Sequence, residues 1–211
     1  MPKLKVGVLA SGRGTNLQSL IDAAERGDLD AEIAVVISDN EEALALERAR
    51  KHGIPAVHIP PGEFRTKLEP EVEQQYVQCL REHGVELVCL AGYMRIVHED
   101  LLNAFPNRIL NIHPALLPSF PGLHAQQQAL DYGVKWSGCT VHFVTADFDE
   151  GPIIVQAAVP VEERDTEETL TARILEQEHR IYPLAVQVFA EGRLVIEGRR
   201  VKVLPPQSPS E

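Results

Sequence analysis

"KVGVLASGRGTNLQSLIDAAERG", Lys5–Gly27, decides the fold. It opens on the apolar run KVGVLA and turns through two glycines. It then carries apolar residues at helical spacing until Gly27 stops it. A strand, a glycine loop and a helix in succession begin a βαβ unit, and the alternation repeats outward. AEIAVVIS (31–38) reads as a second strand ended by Asp39 and Asn40. EEALALERARKHG (41–53) reads as a helix with acids in its first turn, bases in its last and Gly53 as C-cap. PAVHI (55–59) is a short third strand. After the loop PPGEFRTKLEP (60–70), EVEQQYVQCLREHG (71–84) is a helix and ELVCLAG (86–92) a buried-type strand. This pitch predicts an α/β fold: an open, mostly parallel twisted sheet flanked by helices, with right-handed crossovers.

The second half is expected to hold a short helix near EDLLNAF (99–105), the strand RILNI (108–112) and a helix near AQQQALDYG (125–133). GCTVHFVT (138–145) and PIIVQAAVPV (152–161) read as longer strands separated by the acidic loop ADFDEG (146–151). A long helix over 167–189 follows, then a hairpin over 192–204 that turns at Glu197–Gly198 and brings antiparallel pairing near the C-terminus. No internal repeat and no Gly/Ser linker divides the chain, so residues 1–204 are expected to form one domain. PPQSPSE (205–211) is expected to be a disordered tail.

Composition bounds the partners. The 211 residues are 44% hydrophobic and 24% charged, with a formal charge of -11, which argues against a nucleic-acid surface. No stretch approaches the length of a membrane span, and the apolar run after Lys3 and Lys5 is too short for a signal core. Cys79, Cys89 and Cys139 are widely spaced and form no CxxC pair. They read as free thiols of a cytoplasmic protein.

The loop SGRGTNLQ sits where an open parallel sheet presents backbone N–H groups and a helix N-terminus to an anion. Gly12 and Gly14 permit a tight turn and close approach to a ligand, and Thr15 or Asn16 can cap the helix or donate a side-chain hydrogen bond. A dinucleotide fingerprint fails here, because GRGTNL carries Asn16 and Leu17 where GxGxxG needs its third glycine. Asp39, at the end of the second strand, is weak support for it alone. A plain structural turn is one alternative; a phosphate monoester site fits better than either.

Asn111 and His113 end a strand at the edge where such sheets place ligands, and their spacing points them to one side. A carboxamide beside an imidazole suits stabilisation of an oxyanion and proton transfer. Pro114 and Pro118 stiffen the loop that follows. Asp149, in TADFDEGP, is a candidate orienting acid. Taken alone, Asn-x-His is a weak signal, and a lone loop histidine is more often structural. No Ser or Cys stands in a nucleophile elbow, and the eight histidines show no HxH or HExxH spacing, so no metal is expected.

Together SGRGTNLQ, LAGYMRIV, NIHPALLPSFPGLHA, GCTVHFVTADFDEGPII and QEHRIYP resemble the folate-dependent phosphoribosylglycinamide formyltransferase family over nearly the whole chain, from Lys5 to Leu204. The resemblance implies a Rossmann-like formyltransferase fold and transfer of the formyl group of 10-formyltetrahydrofolate to the amino group of glycinamide ribonucleotide, in purine synthesis. It implies Asn111, His113 and Asp149 as the catalytic trio. Gly14, Thr15 and Asn16 would hold the ribonucleotide phosphate, and Glu178 would meet the substrate's amino end. Met94, Arg95, Ile96 and Val97 would line the pterin pocket with Asn111 and the loop Thr145, Ala146, Asp147, Phe148 and Asp149. Arg65 or Lys67 would supply a basic contact, and His124 and His142 match family histidines near the site. Arg13 and Thr15 depart from the family's usual Asn and Ser. A monomer or homodimer is expected.

Three rival readings remain at this stage. A methionyl-tRNA formyltransferase would be expected to add a C-terminal domain and a basic surface. A formyltetrahydrofolate hydrolase would be expected to add an N-terminal regulatory domain. A nucleotide-binding oxidoreductase would need the glycine pattern that is broken here.

Overall fold

The computed structural model describes residues 2–206. Nine strands form one sheet in the order β3-β2-β1-β4-β5-β6-β7-β9-β8. β1 (Leu4–Leu9), β2 (Ala31–Ser38), β3 (Ala56–His58), β4 (Leu87–Leu90) and β5 (Ile109–His113) are mutually parallel. β6 (Trp136–Phe143) pairs antiparallel with β5 and with β7 (Ile153–Pro160). The hairpin of β8 (Leu194–Glu197) and β9 (Arg200–Val203) joins β7 through Ile153 and Arg200. The part of the expected tail from 207 onward lies outside the described residues.

Alternation along the strands builds two cores. Val6, Val8, Leu110 and Ile112 face α1 (Thr15–Arg26) and α6 (Glu167–Ala190), packing against Leu17, Leu20, Ile174 and Tyr182. Leu9, Val88 and Ile109 face the other way, onto Tyr76 and Leu80 of α3 (Pro70–Glu82) and Leu101 of α4 (Glu99–Ala104). Burial on both faces is why these strands read as continuous apolar runs. Such side chains each contribute about 1.5–3 kcal/mol when fully removed from water.

Several elements differ from expectation in their bounds, two of them near the site. α2 spans Leu44–Lys51, not 41–53. Asn40 accepts from Glu42 N at 3.1 Å through its side chain and from Ala43 N at 3.2 Å through its carbonyl, so a local turn replaces the first helical turn. β5 runs one residue further than expected and includes His113, because β6 pairs with it as far as Thr140. α5 covers Ala125–Tyr132. α6 begins with a capping box in which Thr166 and Thr169 satisfy each other's backbone N–H. Its Tyr182 hydroxyl lies 2.8 Å from the Leu90 carbonyl and 3.2 Å from that of Leu110, tying α6 to the ends of β4 and β5.

Candidate active site

The loops after β1, β4 and β5 and the β6–β7 loop converge on a cleft of about 390 Å³ at the C-terminal edge of the parallel strands. α6 closes its far side through Thr171, Leu175 and Glu178.

The glycine loop forms the first wall. Gly14 has φ 69°, and a Cβ there would lie 2.8 Å from the Ala45 backbone, so only glycine lets this loop rest on α2. Gly14 is itself the N-cap of α1, and no side chain caps the helix. Of the two alternatives, capping or donating a side-chain hydrogen bond, Asn16 takes the second. Asn16 is buried, and its Nδ2 donates to Glu178 Oε2 at 2.6 Å. Burial pushes the Glu178 carboxyl up from its ordinary range, and the Asn16 bond partly opposes that. The Asn16 Oδ1 is buried without a partner among the described residues, leaving an acceptor beside the cleft. The first turn of α1 has no side-chain cap on its N–H groups, an arrangement that suits an anion, and Arg13 also lines the cleft.

The second wall carries the candidate reactive groups. Asn111 and His113 share one face of β5, while Leu110 and Ile112 point into the core. The proline-bearing loop after them is held by β6 and β7. Thr140 Oγ1 donates to Ala115 O at 2.7 Å and accepts from Leu117 N at 3.1 Å, and Gln156 Nε2 donates to Leu117 O at 3.0 Å. His113 Nε2 donates to Phe120 O at 2.9 Å, which leaves Nδ1 facing Asp149 Oδ2 at 3.5 Å. Asp149 accepts from Gly122 N at 2.9 Å and sits with φ 53° at a sharp turn. That turn needs Gly151, where a Cβ would fall 1.7 Å from Phe143 O.

His142, on β6 opposite Asn111, completes the group. Its Nδ1 donates to Phe143 O at 2.8 Å, and its Nε2 lies 3.2 Å from Asn111 Nδ2. Burial depresses the His142 pKa, so the neutral ring accepts from Asn111 and leaves that carboxamide one N–H for the cleft. His124 lies at the rim, largely exposed, 3.9 Å from Glu167.

The third wall is the segment Gly92–Val97, linked to the first by Ser11. Ser11 N donates to Gly92 O at 3.1 Å, and Met94 N donates to Ser11 Oγ at 2.9 Å. Met94 and Phe148 both line the cleft and are exposed, large apolar side chains of the kind that pack against a flat ring. Ile96, Val97, Thr145, Ala146 and Asp147 line the cleft as expected, and so does Arg95. Arg65 and Lys67 do not line it. The Arg65 carbonyl faces Arg95, and Lys67 Nζ stacks 4.6 Å from the Phe64 ring. Thr171 and Leu175 escaped the sequence reading, although their spacing to Glu178 places all three on one face of α6.

The formyl transferase family model matches residues 4–186. The chain belongs to the formyl transferase family. A phosphoribosylglycinamide formyltransferase of Escherichia coli (strain K12) is 40% identical over 211 residues, covering 97% of this chain and 97% of that protein. The trifunctional purine biosynthetic protein adenosine-3 of Drosophila pseudoobscura pseudoobscura is 46% identical over 100% of this chain, and the chain spans 15% of that protein's length. The crystal structure of glycinamide ribonucleotide transformylase 1 from Symbiobacterium toebii superposes with a TM-score of 0.93 at 58% identity, covering 96% of this chain and 95% of that one. The open, mostly parallel sheet with antiparallel strands towards the C-terminus is thus the formyl transferase architecture, and the dinucleotide reading of the glycine loop falls away.

Proposed function

We propose that this formyl transferase moves the formyl group of 10-formyltetrahydrofolate to the amino group of glycinamide ribonucleotide. The observation that carries the proposal is that a glycine loop at a helix N-terminus, a carboxamide–imidazole–carboxylate group and the exposed apolar side chains of Met94 and Phe148 line one cleft. The names of the relatives support formyl transfer and the ribonucleotide acceptor. Bound in a slot of this cleft, the folate supplies an activated one-carbon unit on N10.

Each wall has a task. Backbone N–H groups at Gly14, Thr15 and Asn16, with Arg13 beside them, hold the ribonucleotide phosphate. Glu178 and Asn16 accept from the hydroxyl and amino groups of that substrate. The backbone of the 94–97 segment and of the Thr145–Asp149 loop reads the edge of the pterin, with Met94 and Phe148 on its faces. Asn111 directs its free N–H at the formyl oxygen, where negative charge collects as the amine attacks. A new N–C bond forms as the N10–C bond breaks, one proton leaves the amine, and one reaches N10. His113 and Asp149 carry that proton, because Nδ1 is the ring nitrogen not committed to Phe120.

The test is the rate of tetrahydrofolate formation with both substrates and with folate alone. The proposal requires product only when glycinamide ribonucleotide is present. Formate release without it identifies a hydrolase instead.

A further inference from the structure

Asp39 follows β2, and no part of it lines the cleft. Its Oδ2 accepts from Arg95 Nε at 2.7 Å, and both side chains are largely buried, at 5% and 17% exposure. Asp39 Oδ1 is buried without a partner among the described residues, so Arg95 is the counterion this carboxylate relies on. Arg95 Nη1 donates to Phe64 O at 2.7 Å and to Arg65 O at 2.5 Å. One guanidinium therefore gathers the ends of three connections: β2–α2, β3–α3 and β4–α4.

The segment it holds has few other attachments. Residues 63–67 are exposed, and Leu68 is the adjoining buried anchor. Ile96 N donates to Thr66 O at 2.9 Å, and Lys67 pairs with Ile96 as a single parallel bridge, so 64–67 lies like a short extra strand along 95–96. Met94, Ile96 and Val97, immediately around that bridge, form the lip of the slot. Arg95 also lines the cleft, but its Nε and the protons of Nη1 are committed to Asp39, Phe64 and Arg65.

We propose that Asp39 and Arg95 are positioning residues for the folate half of the reaction: the buried pair clamps the 64–67 segment onto the 94–97 lip and so fixes the shape of the pterin slot. This rests on the folate reading of the cleft given above. The hydrogen bonds give Arg95 a part in the architecture of the slot in addition to its place in the lining. Asp39, the acid that looked like a remnant of a dinucleotide fingerprint, has its charge bound inside the fold.

The test uses Asp39→Asn and Arg95→Lys in the full chain, with steady-state kinetics against each substrate and amide hydrogen exchange over residues 92–98. Asp39→Asn is expected to raise KM for 10-formyltetrahydrofolate about tenfold, the scale of one weakened charge-assisted hydrogen bond. KM for the ribonucleotide and kcat are expected to stay within about twofold, since neither site touches Asp39. Exchange at Ile96 should quicken in both variants, because Lys keeps the charge but not the fork that grips two carbonyls. Should Asp39→Asn fail to fold, Asp39→Glu, which keeps the charge but displaces the carboxylate, carries the same comparison. An unchanged folate KM with unchanged exchange overturns the clamp. So does a folate KM raised by Arg95→Lys alone, which would make Arg95 a ligand contact. If the wild-type chain transfers no formyl group, the folate reading fails, while hydrogen exchange still decides whether the clamp exists.

Discussion

His142 Nε2 lies 3.2 Å from the Asn111 carboxamide nitrogen, while its Nδ1 donates to the Phe143 carbonyl at 2.8 Å. The imidazole thereby fixes which way the Asn111 amide points. With one N–H held by His142, the other is aimed at the cleft before any substrate arrives, and a pre-aimed donor costs no reorganisation during the reaction. Asn111→Ala should lower kcat by about 10²–10³, with smaller changes in either KM. Steady-state kinetics with a circular dichroism check of the fold measures this.

His142 also predicts a pH dependence of stability. Burial lowers its folded pKa below the ordinary 6.5. Between the two values the unfolded chain binds more protons, so this contribution is fully present above about pH 6.5 and is lost as pH falls towards the folded value. Urea unfolding from pH 8 to pH 5 should show a shallower loss of stability in His142→Asn than in the wild type. Parallel curves would remove the neutral, buried histidine from the account.

Glu178 carries the opposite sign. Burial raises its folded pKa above the ordinary 4.5 despite the bond from Asn16. Its contribution is therefore favourable at low pH and is lost as pH rises through the folded value. Glu178→Gln, which still accepts from Asn16, should melt at a higher temperature than the wild type at pH 8. The gap should close near pH 4.5. The same substitution should raise KM for the ribonucleotide about tenfold, the scale of one hydrogen bond to a charged group. Calorimetry at two pH values separates the stability effect from binding.

Gly14→Ala should be damaging in both respects. The left-handed backbone alone costs about 1–2 kcal/mol for a residue with a Cβ, and the added atom meets the Ala45 backbone at 2.8 Å. The loop must then lift from α2, so the melting temperature should fall and the ribonucleotide KM rise, with the folate KM little affected.

The parallel half of the sheet was legible because its strands, buried on both faces, are short apolar runs punctuated by glycine and by helices of clear period. The start of α2 was not, since a turn at Asn40 outweighs the helical preference of Glu41 and Glu42. Asn111 and His113 were visible as an edge pair, but nothing local to Asn16 could show that its partner lies 162 residues away on α6. Glu178 entered through resemblance, whereas Thr171 and Leu175 were available from helix periodicity and went unread. Arg95 shows the limit of motif reading: it lines the cleft, but its partners come from two other loops.

The central claim is that this cleft passes a formyl group directly from folate nitrogen to a ribonucleotide amine. The most direct measurement follows ¹³C-labelled formyl in 10-formyltetrahydrofolate by NMR through a single turnover with glycinamide ribonucleotide. The account predicts the label on the ribonucleotide as a new formamide, with no free formate, and its loss in Asn111→Ala. Label appearing as formate, or remaining on the folate with wild-type protein and both substrates present, would contradict it.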